Sequence, residues 1–287
     1  MLKLTSRLGL VRAALLALDI AGAPGLLAAQ DAIEPDRPDV TNGTHIVDVG
    51  LLQVEMGGNY ARSAPQGEWS TPVTARVGLT EWLEARIGTD GLVTETDGVQ
   101  RQTGFGNMNV GAKIRLWADP GGIPVLSILP TINLPTANAS KGLGSGDLDY
   151  LLTFLTGGDI GRHWHADVNY GIGLVGAGDG QPHFSQQLVS VSVSAAATDN
   201  LNPYVEAYWF SREDPRGGAV TGVDAGAIYE LGARYAVDGG VEIGLNGSPH
   251  DVSAFGGLSM IVGNILGNHG VHARNREIQR RRARSGR

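Results

Sequence analysis

The side chains of this chain that could do chemistry are charged groups set at alternate positions of otherwise apolar segments. Arg76, Arg86, Lys113 and Arg115 fall on the polar parity of one run of segments, and Glu206, Asp224, Glu230 and Glu242 on that of another, with Arg234 as a cationic exception. A basic wall facing an acidic wall would set up a transverse field across a water-filled constriction. The same groups could instead pair across the space and plug it. Tyr204 and Tyr208 share the polar parity of Glu206 and could stack an aromatic solute, or serve as rim and packing residues. Asp36, Arg37 and Asp39 precede the first alternating segment. A segment folding into the space as a partial plug would bring Arg37 to the acidic wall; the alternative is a disordered leader.

Other chemistries find little support. With no cysteine in 287 residues, thiolate nucleophiles, thiolate metal sites and disulfides are all excluded. His163 and His165 share a strand face, but no third metal ligand is indicated. There is no Gly-x-Ser-x-Gly elbow, and Gly104-x-Gly106 opens a strand where a phosphate loop would need a helix. No catalytic residue, metal or cofactor is therefore expected.

The elements that must position these groups alternate with period 2. In Gly50–Arg62, Leu52, Val54, Met56 and Tyr60 oppose Gln53, Glu55 and Asn59. In Gly106–Trp117, Met108, Val110, Ala112, Ile114 and Leu116 oppose Asn107, Asn109, Lys113 and Arg115. Twelve such segments are expected, at 50–62, 69–79, 82–92, 105–117, 123–134, 147–157, 162–175, 184–197, 200–212, 221–236, 240–247 and 251–262. Tight turns at Gly78–Leu83, Ala197–Leu201 and Ala236–Val241 alternate with longer polar connections, notably Val93–Gly104 and Pro135–Gly146. Short turns on one rim, long loops on the other and ~10-residue strands are the pattern of an outer-membrane barrel. Aromatic residues at the ends of the apolar faces, with Tyr60, Trp69, Tyr150 and Trp209 outside and Trp164 and Tyr235 inside, suit two membrane-interface belts. A soluble sandwich or lipocalin-like barrel would also alternate, but its apolar face would point inward. The expected fold is all-β: a twelve-stranded antiparallel transmembrane β-barrel of the bacterial outer membrane.

Composition agrees. Glycine supplies 43 residues, which a helix-rich enzyme would not tolerate, and no apolar run is long enough for a transmembrane helix. The net charge of −7 conceals basic ends and a strongly acidic body, which argues against nucleic acid as a partner. Residues 1–29 read as a cleaved signal peptide, 30–49 as a periplasmic leader and 50–263 as the barrel. Residues 264–287, with seven arginines against Glu277, read as a basic, disordered tail.

Several stretches resemble the outer-membrane barrel family named putative MetA-pathway of phenol degradation. They are Pro35-Asp-Arg-Pro-Asp39, Leu51-Leu-Gln-Val-Glu-Met-Gly-Gly58, the run Arg76–Gly88, the run Gly104–Arg115 and Leu129-Pro-Thr-Ile-Asn-Leu-Pro-Thr136. The resemblance implies a signal peptide, a barrel and passage of small molecules, and it transfers no catalytic residue. The chain departs from the usual terminal aromatic strand, because Leu258–Gly263 has no closing Phe. The expected function is passive uptake of small solutes, with aromatic compounds among the candidates. A closed structural barrel and a lipid-modifying enzyme are the alternatives. The expected partners are outer-membrane lipid, the solute and the barrel-assembly machinery, with the protein a monomer.

Overall fold

In a computed structural model of the chain, the structure describes residues 33–37, 40–118, 124–178, 180–248 and 250–267. Period-2 alternation becomes fifteen strands: β1 (Leu51–Ser63), β2 (Gln66–Ser70), β3 (Val73–Thr80), β4 (Leu83–Thr89), β5 (Leu92–Thr96), β6 (Arg101–Phe105), β7 (Met108–Trp117), β8 (Val125–Leu134), β9 (Asp149–Ile160), β10 (Trp164–Val175), β11 (Phe184–Ala195), β12 (Leu201–Phe210), β13 (Val220–Glu230), β14 (Tyr235–Asn246) and β15 (Val252–Asn264). Two-residue interruptions divide β2 from β3, β4 from β5 and β6 from β7, so the fifteen strands make twelve staves. Thr71–Pro72 is the first of these breaks, where proline has no N–H to give to the ladder. Each stave pairs antiparallel with the next, and β15 returns to pair with β1 from Leu51↔Asn264 to Arg62↔Val252. The protein is a closed twelve-stave barrel of the outer-membrane type. Closure leaves no strand edge unpaired in lipid.

The alternation sorts side chains by solvent. Ile87, Val168, Ile172 and Val241 stand outward and exposed, while Gln53, Glu55, Arg76, Glu84, Lys113 and Asn169 are buried inside. Exposed rings mark both membrane interfaces. Tyr60 opposes Trp69 across the first hairpin, with Tyr150 on the same rim, and Trp82, Trp117 and Trp164 lie on the other. The connections on that second rim are short, as at Glu81–Trp82 and between Ile160 and Trp164.

Two expected connections are strand instead. Ala236–Val241 lies within β14, and the turn falls earlier, between Glu230 and Tyr235. Gly232 adopts φ +80° there, a left-handed conformation that favours glycine, whereas Gly239 and Gly240 take ordinary ladder positions opposite Gly256 and Phe255. The Phe255 ring lies over Gly240, where a Cβ would come within 2.6 Å of it. Arg234 is consequently a turn residue, donating to the carbonyls of Ile261 and Val262. The polar stretch Val93–Gly104 is likewise not a loop: it forms the β5–β6 hairpin, closed by Asp97-Gly98, with Asp97 Oδ1 accepting from the Val99 and Gln100 amides. Pro135–Gly146 does form a long connection, with one turn of 3₁₀ helix at Ala139–Lys141. Residues 1–29, Asp39 and residues 268–287 of the tail lie outside the described residues.

Candidate functional site: the barrel lumen and its leader

The lumen is occupied by a non-strand segment that precedes β1. Ile33 and Val47 pack with Leu51, Ala236 and Ile261 in a small apolar cluster. Burying two such side chains contributes about 1.5–3 kcal/mol each. Between them the leader crosses the lumen and returns, and polar side chains of the wall receive it. Glu55 accepts the Asp36 and Arg37 amides at 3.3 and 3.2 Å, and Glu206 accepts those of Val40 and Thr41 at 2.9 and 2.8 Å. Asn169 accepts the Asn42 amide at 2.7 Å and donates to its carbonyl at 3.0 Å. Glu84 accepts the Val47 amide at 2.9 Å. The wall thus satisfies the leader's backbone without a ladder, as a buried backbone requires. Among the described residues, the leader joins the sheet only at Val49, which bridges to Gly78.

Asp36 organises the cations. Lys113 Nζ lies 2.7 Å from its carboxylate, Arg86 Nη2 3.0 Å and Arg76 Nη2 3.4 Å. Arg76 also donates to Glu55 at 2.6 Å and to Glu84 at 2.8 Å, and Lys113 caps the Gly43 and His45 carbonyls. Three of the four expected basic residues therefore meet in one buried cluster. Arg115 stands apart, donating to the Glu81 carbonyl at 3.4 Å. The cluster also holds Glu55 and Glu84, so Asp36, Glu55 and Glu84 match the three cations in number. Sequence parity puts Glu55 on the polar face without assigning it a role, and does not single out Glu84. The signal for both was the inward parity they share with Arg76 and Arg86.

The opposite wall is different. Glu206 opposes Asp224, and Asp224 opposes Glu242, so three carboxyls form one row across β12, β13 and β14. Among the described residues no cation lies within salt-bridge distance of any of them. Glu242 instead accepts the Tyr208 hydroxyl at 2.6 Å. Glu230 lies away from this row at the turn end of β13, where Asn202 donates to it at 3.0 Å. Tyr204 and Tyr208 are buried against the wall: each opposes a glycine of β13, Gly226 and Gly222, whose missing Cβ leaves room for the neighbouring ring. Arg37 reaches Asp238 of β14 at 3.4 Å and none of the four carboxyls singled out in the sequence. The sequence does not mark this pair, because Asp238 falls in the expected Ala236–Val241 turn.

Beyond the leader, at the long-loop mouth, lies a polar cavity of about 490 Å³ lined by residues including Gln66, Glu68, Glu95, Gln102, Lys141 and His250. The Glu68 carboxylate, 3.7 Å from Nε2, holds the His250 imidazole above its ordinary pKa, and the Glu242 and Glu213 charges act in the same direction. His165 is taken up by Asp159 and Asp167 at 2.8 and 3.2 Å. Among the described residues no set of three side chains is arranged to hold a metal ion.

The chain matches the family model described as Putative MetA-pathway of phenol degradation over residues 35–261. Among solved structures, it is similar to the COG4313 outer membrane channel from Pseudomonas putida F1, at 12% identity and a TM-score of 0.61, covering 80% of this chain and 99% of that one. It is also similar to the NanC porin, at 11% identity and a TM-score of 0.52, covering 72% of this chain and 98% of that one. At these identities the likeness shows the barrel fold. No curated protein matches the chain.

Proposed function

The chain belongs to the family described as Putative MetA-pathway of phenol degradation, and from that premise and the lumen's geometry we propose that it passes small solutes across the outer membrane by passive diffusion. The observation that carries the reading is the kind of filling the lumen has. A barrel closed for structural reasons alone can be packed with apolar side chains from its own wall. Here the filling is a separate segment held mainly by ion pairs and hydrogen bonds, with a polar vestibule at the mouth. Two descriptions support the reading: one structurally similar barrel is described as an outer membrane channel and another as a porin. Aromatic solutes are the first class to test, given the family's description.

The cationic cluster is matched by carboxylates while the β12–β14 row is not, so the passage favours cations over anions. Planar-bilayer recording of the full chain tests both statements. The expected result is a small conductance with reversal potentials on the cation side, largest at low salt, where the Debye length is ~30 Å at 0.01 M. Glu206→Ala with Asp224→Ala shifts the preference toward anions. Absence of conductance, together with absence of phenol flux into proteoliposomes, would replace this reading with a closed structural barrel. The protein acts here as a channel and not as an enzyme; lipid turnover by the purified protein would overturn that. In this reading it is a monomer delivered by the barrel-assembly machinery.

A further inference from the structure

Gly57 of β1 and Gly257 of β15 are directly opposed on the seam that closes the barrel, and in the same row Gly257 also opposes Asp238 of β14. Neither glycine has a left-handed φ. Their backbone is open to any residue, and glycine weakens a strand interior by offering nothing to pack. Two opposed glycines therefore call for a spatial reason, and the space is filled by Arg37. A Cβ on Gly57 would overlap the guanidinium, whose atoms are its three nearest neighbours, whereas one on Gly257 would lie 2.6 Å from the Met56 carbonyl oxygen as well as 2.7 Å from Arg37 Nε and 2.8 Å from Nη2. The next pair along, Gly58 and Gly256, has the opposite parity, and a Cβ on Gly58 would meet only the Trp69 ring at 3.3 Å.

We propose that Gly57 and Gly257 are a seat for the Arg37 guanidinium, and that this seat is the releasable arm by which the leader closes the β14–β15–β1 side of the lumen. The adjacent residues Asp36 and Arg37 brace opposite walls unequally. Asp36 is gripped by Lys113 and Arg86 at 2.7 and 3.0 Å. The Arg37 side chain makes two contacts of 3.4 Å, to Asp238 Oδ1 and the Gly256 carbonyl, and among the described residues its buried Nε and Asp238 Oδ2 have no hydrogen-bond partner. What holds Arg37 is thus mainly the fit of a flat group against a wall without side chains. Such a hold is undone by one methyl group. The role as a gate rests on the channel reading; the seat itself does not.

A single thiol separates the two, because the chain has no cysteine. Ser259, fully buried on the inward face of β15, is close in size to cysteine and opposes Glu55, whose carboxylate accepts the leader's Asp36 amide. In full-length Ser259→Cys protein, modification by a small charged methanethiosulfonate is expected to be slow. Adding Gly57→Ala or Arg37→Ala is expected to speed it at least about tenfold, since a local opening replaces rarer, larger excursions. Adding Gly58→Ala is expected to leave it slow, and Gly57→Ala with Arg37→Ala to be no faster than Arg37→Ala alone. Heat-modifiable gel migration verifies the barrel in each variant, and Arg37→Ala leaves the wall untouched should a glycine variant not assemble. Labelling that stays slow in Arg37→Ala, or is equally fast in Gly57→Ala and Gly58→Ala, overturns the seat. Faster labelling with unchanged single-channel conductance keeps the seat and overturns the channel reading.

Discussion

Asp36 is the residue on which most of the lumen's charge depends, since three cations from β3, β4 and β7 converge on it. Removing one member of a buried ionic cluster leaves the others uncompensated, a cost of about 3–5 kcal/mol. Asp36→Asn is therefore expected to lower the unfolding free energy in detergent by that order and to raise single-channel conductance. Chemical unfolding and bilayer recording measure the two effects; a loss below about 1 kcal/mol would mean that water screens the cluster as it does at a surface. His250 presents the milder case at the mouth. Its pKa is raised by Glu68, so the contact's stabilisation is complete below the ordinary value of 6.5 and is lost as pH rises through the higher folded value. Hydrogen exchange at Asp251 and Val252, corrected for base catalysis, should accelerate across that window in the parent protein. The acceleration should be absent in Glu68→Gln; an identical profile in both would refute the link.

At the scale of the strand, one-residue parity decides which solvent a side chain meets. Val110 stands in the ladder between Ile87 and Ile132, on the outward face, and Asn109 is turned inward beside it. An arginine facing lipid near the midplane costs about 2–4 kcal/mol. Val110→Arg should therefore sharply reduce assembled barrel in the outer-membrane fraction, and Asn109→Arg should not. Equal damage from both would refute the face assignment. Parity was readable because every even position from Trp164 to Leu174 is apolar, while His165, Asp167 and Asn169 and then two glycines take the odd ones. The boundary near Tyr235 was not. Leu231-Gly-Ala-Arg234 and Val237-Asp-Gly-Gly240 look equally turn-like in isolation, and the first becomes the turn because Tyr235–Asn246 finds partners on both β13 and β15.

For the molecule as a whole, the reading is of an exported precursor whose mature chain starts after Ala29. N-terminal sequencing of protein from the outer-membrane fraction is expected to begin at Gln30, and retention of Met1 there would contradict it. The alternating pattern, the aromatic ends and the glycine content determined by themselves that the chain is a twelve-stave membrane barrel. Those signals are local and repeat along the chain, and lipid imposes closure on any such sheet. Inward parity also marked Arg76, Arg86, Lys113, Glu206, Asp224 and Glu242 as lumen groups. Tertiary structure alone decided their partners. Asp36 meets Lys113 across 77 residues and Thr41 meets Glu206 across 165, because the leader turns back through the lumen. Parity says which way a side chain points; it does not say what comes to meet it. The charge balance of the lumen followed from that encounter. One carboxylate from outside the barrel completes the neutral cluster on one wall, while the row on the opposite wall keeps three carboxyls with no cation in salt-bridge reach among the described residues.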